Sequence, residues 1–514
     1  MKKNHQWSRR EFLATSGLAA AAASLPSSSL QAQTPYIRYS MTSSEGLRML
    51  EGYKTAIRRL LAKDPSDPLN WYRLTLIHTL DCPHGNWWFL PWHRGYIGFV
   101  EQILRAYSDM PDFALPYWDW TADPEVPASF FGSGNPLDPT CSFFIPTLTE
   151  FQSRFGQAID DFYAGLNGFQ RASLWYRGLE TPAKLWQDIS HDFFPQANAR
   201  CLTPAQPAFA SPPSTCTQGC LGTAQAVSIA TINAALAPTD FVTFGSGIAD
   251  QHSHASHGPF SGPINYGVLE GQPHNKVHNC TGGFMVGYMS PVDPLFYMHH
   301  SNVERLWVAW TAKQRAQGFP TLPTGNFGTR WSQELFLFYV NTAGQTLSRS
   351  AGDFATVAGT PFNYVYTPGS GGALATAGRW QRRTFDDLSE IPLDLLQDAA
   401  KDDGPELLAR VTVDPQGRQQ GKSFHVLLNP PAGTDASDPS GLHYVATVAF
   451  FGRGHGHSRK ATFLVPVSPT LRRLKAAGRL EAIAERPQLF LAVQDHLEDT
   501  LGAAQQIRAV VSSH

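Results

Sequence analysis

The stretch that decides the fold is residues 77–94, which read IHTLDCPHGNWWFLPWHR. Apolar residues at helical spacing predict one helix from about residue 70 to 80, and Pro91 marks the opening of a further helix that ends near residue 110. His78 then lies at the end of one helix, His93 starts the next, and His84 occupies the tight connection between them. Three imidazoles can therefore converge on one metal ion.

A second group of histidines stands much further along the chain. His274 and His278 are four residues apart, so on a helix they lie one turn apart on the same face. A long helix is predicted from about residue 294 to 314, and His299 and His300 stand near its start. A second site with three imidazoles results.

The chemistry of these ligands limits the choice of metal. Sites built from imidazole nitrogens, without carboxylate or thiolate, suit copper, zinc or nickel. Two such sites that face each other across a helix bundle favour copper handling dioxygen. Zinc is the chemical competitor, and a zinc hydrolase is the corresponding alternative function.

Several short motifs carry a resemblance to a known family. Residues 89–94 (FLPWHR), 274–278 (HNKVH) and 293–300 (DPLFYMHH) resemble the copper signatures of tyrosinases and catechol oxidases, and residues 115–120 (LPYWDW) are also similar to this family. Residues 336–339 (FLFY) and 423–426 (SFHV) look like the carboxy-terminal modules of plant polyphenol oxidases. The resemblance covers most of the mature chain outside the long loops.

The resemblance implies a binuclear copper centre of the type-3 kind. Carried over by position, the first copper is bound by His78, His84 and His93, and the second by His274, His278 and His300. In the pair of adjacent histidines the family ligand is the second member. His299 is then a neighbour that hydrogen-bonds around the ligands, with the reverse assignment left open.

The resemblance also implies roles for four residues that are not ligands in this scheme. Cys82 is expected to form a thioether with His84, the alternative being a free buried thiol. Glu270 and Asn275 resemble the acidic residue and amide that position a water beside the second copper, where Glu270 can act as a general base. The alternative for Glu270 is a helix-start residue favoured by the dipole. Gly287 stands where plant catechol oxidases often carry a bulky aromatic gate, which argues for access by monophenols.

Glu304 and five further histidines are expected to lie outside the set of six ligands. Glu304 replaces the aspartate that is usual in this motif, and it is expected to keep a structural contact with a longer arm. Two further groups of histidines lie in stretches rich in Gly, Ser and Pro and are expected to be surface or loop residues: His252, His254 and His257, and His455 and His457.

The coarse pattern predicts a mainly α protein with two structural domains. Residues 33–325 are expected to form a dicopper catalytic domain built on a four-helix bundle with long loops, which include residues 124–145 and 196–214. Residues 326–374 read as a linker region. Residues 375–514 read as a β-rich domain, sandwich- or barrel-like, which the resemblance to latent plant enzymes expects to pack over the copper entrance.

The amino terminus indicates where the protein is located, and the composition limits the kinds of partner it can bind. Residues 1–32, with Arg9 and Arg10 before an Ala-rich apolar run, resemble a twin-arginine signal peptide, so the mature protein is expected to be exported folded and to be periplasmic or secreted, with no membrane segment. The formal net charge is -2 and no basic run is present, which argues against a nucleic-acid or phospholipid surface. A small, near-neutral ligand fits better.

The expected activity follows from the resemblance, with phenols and dioxygen as reaction partners. It is the oxidation of o-diphenols to o-quinones by dioxygen, with ortho-hydroxylation of monophenols left open. Haemocyanin-like oxygen binding and an o-aminophenol oxidase are the alternatives.

Among the cysteines, one disulfide is expected in the loop that holds Cys201, Cys216 and Cys220.

Overall fold

The computed structural model describes residues 34–194, 196–253, 264–372, 381–385, 390–413, 423–452, 460–481, 487–493, 502–503 and 508–513. The predicted signal peptide, the histidines at 254, 257, 455 and 457, and the predicted start of the β-rich domain near residue 375 lie outside these ranges. No helix in the described ranges is both long enough and apolar enough to cross a bilayer.

Helices dominate the first two thirds of the chain. They are α1 (Ser44–Leu61), α2 (Trp71–Asp81), α3 (Phe89–Tyr107), α4 (Leu148–Ala164), α5 (Gly168–Tyr176), α6 (Pro182–Asp192), α7 (Thr217–Cys220), α8 (Thr223–Ala226), α9 (Ile229–Leu236), α10 (Phe241–Phe244), α11 (Asn275–Thr281), α12 (Leu295–Gln317), α13 (Gly325–Gln333), α14 (Leu393–Ala399) and α15 (Ser468–Ala476).

Local sequence explains where the key helices begin. Asn70 caps α2, because its side chain accepts a hydrogen bond from the backbone N–H of Tyr72. Pro91 lies in the first turn of α3, which begins at Phe89, two residues earlier than Pro91 alone indicates. Gly318 ends α12 with a positive φ of 74°, a conformation that glycine adopts without strain. The predicted helices over residues 70–80 and 294–314 are confirmed to within three residues at each end.

Within the described ranges the strands form four sheets. They are β1 (Tyr36–Arg38), β2 (Ile264–Tyr266), β3 (Leu335–Val340), β4 (Thr346–Ser350), β5 (Tyr364–Tyr366), β6 (Gln381–Phe385), β7 (Glu406–Val413), β8 (Ser423–Leu428), β9 (Tyr444–Ala449), β10 (Ala461–Pro466), β11 (Leu489–Val493), β12 (Gly502–Ala503) and β13 (Arg508–Ser513). The larger sheets have the orders β2-β10-β7-β13-β6 and β12-β11-β8-β9, and β1-β5 and β3-β4 are two-stranded.

Two hydrophobic cores hold these elements together. The larger one lies among the helices and is rich in Trp and Phe side chains. The smaller one joins side chains from both large sheets, such as Phe463 on β10 and Val426 on β8, together with α14 and α15. The expected mainly α fold followed by a β-rich carboxy-terminal region is therefore confirmed, and the region is a two-sheet sandwich.

The interval predicted as a linker, residues 326–374, is more ordered than that prediction states. It contains α13, β3, β4 and β5, and β5 pairs in parallel with β1 near the amino end of the described chain. Phe354 and Phe362 are buried in the larger core. Sequence reasoning missed this because the aromatic anchors are spaced singly among Gly, Ser and Thr residues, without a periodic pattern.

The cysteines form two disulfides in the described chain. Cys201 pairs with Cys216 inside the predicted loop, and Cys220 pairs with Cys280. The second bond ties α7 to α11, which carries His278. The expectation of a disulfide in the loop is confirmed, while the longer link depends on the tertiary fold.

Candidate metal centre

The first histidine cluster lies between α2 and α3. His78 is in the last turn of α2, His93 is in the second turn of α3, and His84 is in the loop that connects them. The Nε2 atoms of His78 and His93 are 3.4 Å apart, and the ring of His84 lies 5.3 Å from each of the other two rings. All three side chains are buried. The predicted convergence of three imidazoles is present.

The second cluster lies between α11 and α12. His274 ends a wide helical turn, Glu270–His274, that leads into α11. The ring centroids of His274 and His278 are 4.6 Å apart. The Nε2 atoms of His278 and His300 are 3.2 Å apart. One ligand-type nitrogen from each of His274, His278, His299 and His300 lies within 4.8 Å of the others.

The two clusters face each other. The rings of His93 and His300 stack with centroids 4.3 Å apart and an interplanar angle of 9°. The rings of His84 and His274 are 5.6 Å apart. Helices α2, α3, α11 and α12 with their connecting loops thus bring six imidazoles from distant parts of the chain to one buried centre.

Hydrogen bonds orient most of these rings. The Nδ1 atoms of His78, His93 and His278 lie 2.7, 2.8 and 2.6 Å from the backbone oxygens of Tyr288, Phe89 and Met285. An N–H at Nδ1 that donates to a carbonyl leaves Nε2 as the free lone pair. Each of these three rings therefore presents Nε2 for a metal.

The protonation state of the rings also suits metal binding. Burial lowers the pKa of His78 and His274 to about 3, and it holds the pKa of His84, His93, His278 and His300 well below the usual value. In the described chain the Nε2 atoms of His84 and His274 have no hydrogen-bond partner, although both are buried. Neutral imidazoles with free nitrogens at these positions fit two metal ions of the copper type.

His299 lies beside the second cluster. Its ring stacks on His274 at 5.2 Å and lies 4.9 Å from the ring of Trp120. The Nε2 of His300, by contrast, approaches that of His278 directly. This geometry supports His300 as the ligand. The hydrogen bond expected for His299 is not present in the described chain, since neither of its buried ring nitrogens has a partner. Both residues offer a nitrogen to the second cluster, so the choice between them stays a prediction.

Cys82 lies next to the loop histidine. Its Sγ is 3.5 Å from Nδ1 of His84, and it is unpaired in the described chain. The guanidinium of Arg177 lies 3.9 Å from the same sulfur and donates to the backbone oxygens of Cys82 and Thr79. Burial raises the pKa of the Cys82 thiol. The closeness of sulfur and imidazole fits the predicted thioether.

Glu270 and Asn275 are placed at the centre but have protein partners. The Glu270 carboxylate accepts hydrogen bonds from the backbone N–H of Gly85, at 2.7 Å, and from the hydroxyl of Ser246. The Asn275 Oδ1 atom lies 2.8 Å from Nδ1 of His274, and its amide donates to the backbone oxygen of Ala449, also at 2.8 Å. Burial raises the pKa of Glu270 to about 8, although its two donors act in the opposite direction.

Phe451 was missed by sequence reasoning. It lies two residues after the end of β9, is 3% exposed, and its ring lies 4.3 Å from His84, 4.7 Å from His278 and 5.3 Å from Tyr288. Gly452 has a φ of +87°, and a Cβ there would lie 2.7 Å from the Tyr288 ring. Adjacent aromatic residues followed by glycine were the available signal. The carboxy-terminal region therefore covers the centre with this ring.

Two predicted positions have specific contacts. A Cβ added at Gly287 would lie 1.7 Å from Oδ1 of Asp192, so this glycine is packed against α6. Its role as an open gate stays a prediction. Glu304 lies 2.8 Å from the guanidinium of Arg94, which joins α12 to α3, so the contact expected for the longer side chain is present.

His252 is buried, not at the surface, and its partners explain why. Its ring nitrogens lie 2.9 Å from Asp81 and 2.8 Å from Glu334. Burial alone would lower the pKa of His252, but these two carboxylates outweigh it and raise the pKa to about 9. The expectation that His252 is a loop residue and not one of the six ligands stands, and its charge is compensated inside the protein.

Comparison with known proteins gives consistent results. Residues 66–313 match the common central domain of tyrosinase. The tyrosinase HcTyr1 of Hahella sp. (strain CCB-MM4) is 25% identical over 354 residues, which are 62% of this chain and 60% of that protein. The alignments with plant polyphenol oxidases span still less of those relatives, 42% for polyphenol oxidase II of Ipomoea batatas.

Solved structures extend the fold similarity to most of the chain. A latent aurone synthase (polyphenol oxidase) superposes with a TM-score of 0.53 and 16% identity over 94% of this chain and 87% of its own. Latent apple tyrosinase superposes with a TM-score of 0.52 and 17% identity over 93% of this chain and 94% of its own. At these identities the similarity establishes the shared fold, including its carboxy-terminal part.

Proposed function

Because this chain belongs to the tyrosinase family through its central domain, residues 66–313, we propose that it oxidises o-diphenols to o-quinones with dioxygen at a pair of copper ions. The meeting of the two buried histidine clusters carries this proposal, since the rings of His93 and His300 stack face to face. Copper-binding tyrosinases need two such clusters side by side, and the free Nε2 atoms described above supply the ligands.

The six proposed ligands would hold one copper in each cluster. When bound, the copper pair would supply dioxygen activation and would pass the two electrons of each o-diphenol to dioxygen, which is reduced to water. The protein supplies the orientation of the ligands: backbone oxygens fix three rings, and Asn275 fixes His274. The buried walls exclude water from the reacting centre.

Glu270 is proposed as the group that takes the phenol proton. A carboxylate whose pKa is raised toward neutrality binds a proton well at working pH, and the charge of bound copper would lower that pKa again. Asn275 is proposed to orient a water beside the second copper together with Glu270. One hydrogen of its amide donates to Ala449 in this conformation, and the second amide hydrogen would serve that water.

The conformation described is proposed to be a closed form of the enzyme. The ring of Phe451 lies over His84 and His278, where an aromatic substrate would stack. Access then needs displacement of the segment that carries Phe451. Ortho-hydroxylation of monophenols is proposed as an accompanying activity.

The decisive test measures copper and oxygen uptake on the full-length chain. Phe451→Gly protein should bind two copper ions and consume dioxygen with 4-tert-butylcatechol. Oxygen uptake with tyrosine tests for monophenol hydroxylation, and uptake with an o-aminophenol tests for aminophenol oxidation. His300→Asn in the same background is the control, and it should lose copper and uptake together. A copper-loaded Phe451→Gly protein that binds oxygen but oxidises none of these substrates would exclude the oxidase and favour oxygen binding.

The thioether is tested separately by mass. Forming one C–S bond between Cys82 and His84 removes two hydrogens, so the denatured and reduced chain should weigh about two daltons less than the sum of its residues. Cys82→Ser protein should show no deficit. A wild-type chain of unshifted mass, isolated after copper loading in air, would reject the bond.

Export is proposed through the twin-arginine signal at residues 1–32. Replacing Arg9 and Arg10 by lysines should keep the protein in the cytoplasm of a bacterial host, with its leader uncleaved. Finding the variant processed and exported like the unaltered chain would reject this route.

A further inference from the structure

We propose that the carboxy-terminal sheet positions the copper-binding loop that carries His84, acting through the short strand β2. Retention of the first copper would then depend on the pairing of β2 with β10. This proposal rests on the copper pair of the proposed function, but it concerns metal retention and not turnover. It assigns positioning roles to Asn265 and Gly85, and it gives the carboxy-terminal region a second task besides covering the centre.

Strand β2 belongs to the carboxy-terminal sheet, although its sequence lies within the catalytic region. Ile264, Asn265 and Tyr266 pair in parallel with Ala461, Thr462 and Phe463 of β10. Ile264 and Tyr266 are buried in the smaller core, and the Tyr266 ring stacks on Phe463 with centroids 4.8 Å apart. The strand is therefore anchored by backbone pairing and by side-chain packing.

The backbone groups of Asn265, the middle residue of β2, form hydrogen bonds with the catalytic region. The N–H of Asn265 donates to the backbone oxygen of Gly85 at 2.9 Å, and its oxygen accepts from Gly247 at 2.9 Å. Gly247 in turn accepts from the N–H of Trp87 at 2.8 Å. Two residues close to His84 in the copper-binding loop are thus connected by hydrogen bonds to a strand of the carboxy-terminal sheet.

His84 depends on this connection more than its neighbours do. His78 and His93 stand on α2 and α3, whose own hydrogen bonds hold the backbone. His84 lies in a loop and not on a helix. The N–H of the adjacent Gly85 donates to Glu270, and the oxygen of Gly85 accepts from the N–H of Asn265.

Gly85 and β2 are also in direct contact. Gly85 has a φ of +70°, and a Cβ at this position would lie 2.3 Å from Cγ2 of Ile264. The loop therefore follows the strand closely, and a shift of β2 displaces the residue next to the ligand. Loss of support around a metal ligand typically costs 10–100-fold in affinity, and here we expect that loss at one copper of the two.

A pair of variants at Asn265 tests the hydrogen bond in the full-length chain. Proline at this position lacks the N–H that donates to Gly85, whereas alanine keeps it. Copper per chain is followed by metal analysis during dialysis against a chelator. Asn265→Pro should lose one copper roughly tenfold faster than the wild type and keep the other. Asn265→Ala should release both at the wild-type rate.

A second pair tests the anchoring of β2 and controls for general destabilisation. Phe463→Ala removes the side chain that stacks on Tyr266, while Leu474→Ala removes a buried side chain of the same core on α15. Both should lower the unfolding temperature. Only Phe463→Ala should accelerate the loss of one copper.

Retention of both coppers by Asn265→Pro and Phe463→Ala at the wild-type rate would overturn the proposal, and so would equal loss of both. These outcomes are separate from a failure of the proposed function, which would appear as a lack of phenol oxidation by Phe451→Gly protein that holds both coppers.

Discussion

The ring of Phe451 lies parallel to the imidazole of His84 at 4.3 Å and with an interplanar angle of 28°. One belongs to the carboxy-terminal region and the other to the loop between α2 and α3. An aromatic side chain from one part of the chain therefore covers the face of a histidine proposed to bind metal in another. Under the proposed function, an aromatic substrate reaches His84 only when the segment that carries Phe451 moves away.

The first prediction concerns this cover. Displacing a buried Phe side chain into water costs about 2 kcal/mol, which corresponds to roughly a 30-fold smaller population of open sites. Phe451→Gly should therefore raise kcat/KM for a catechol by about that factor, measured by oxygen uptake at equal copper content. Phe450→Ala is the control, because its ring packs against Phe463 and Phe424. An equal gain in that control would point to general loosening of the region.

The second prediction separates two roles of Asn275. Asn275→Asp keeps an oxygen for Nδ1 of His274 but loses the donor to Ala449, so copper affinity should hold while the cover opens more easily. Asn275→Leu loses both contacts and should weaken copper binding by roughly 10–100-fold. Competition with a chelator and oxygen uptake measure the two effects. Identical behaviour of both variants would contradict this division.

The third prediction tests Glu270 as the base. Glu270→Gln keeps an oxygen for the N–H of Gly85 and can donate to Ser246, so the structure should persist while proton transfer is lost. In the Phe451→Gly background kcat should fall by roughly 10²–10⁴ at full copper content. Glu270→Ala should in addition destabilise the fold by about 1–3 kcal/mol, since it leaves the buried N–H unpaired. A Gln variant with unchanged kcat would make Glu270 purely structural.

The fourth prediction concerns pH and His252. Its pKa in the folded state is raised to about 9, above the ordinary value of 6.5, so its contribution to stability is complete below pH 6.5 and disappears as pH rises through 9. The contribution is on the order of 3 kcal/mol. Chemical unfolding of the wild type should show this fall between pH 6.5 and 9.5, and His252→Gln should flatten it. Asp250→Asn, which changes an exposed carboxylate nearby, should leave the slope in place.

The fifth prediction compares the two disulfides. The bond between Cys220 and Cys280 closes 60 residues and that between Cys201 and Cys216 closes 15. Loop entropy predicts losses of about 4 and about 3 kcal/mol when each pair is replaced by serine. Of the two bonds, only the longer one ends on a residue of α11, Cys280, so its loss should also weaken copper binding by the second cluster. Equal copper affinity in both double variants would limit the longer disulfide to global stability.

The two histidine triplets were predictable because their signals are local. Four-residue spacing places His274 and His278 on one face, and prolines and caps mark the starts of the three helices that carry His78, His93 and His300. The β-rich carboxy-terminal region was predictable for the same reason, from alternation within β8 and β9. By contrast, the burial of His252 depends on Asp81 and Glu334, which lie far from it in the sequence.

Sequence alone was enough to place the helices around the histidines and the histidine spacing, and it limited the metal to those that imidazole nitrogens suit, since these features follow from backbone periodicity and ligand chemistry. The tertiary structure was needed to show that Phe451 covers His84, that the amide of Asn275 donates to Ala449, and that β2 joins the carboxy-terminal sheet. Such contacts join residues far apart in the chain. No local pattern specifies them, because they form only when separate hydrophobic cores pack together.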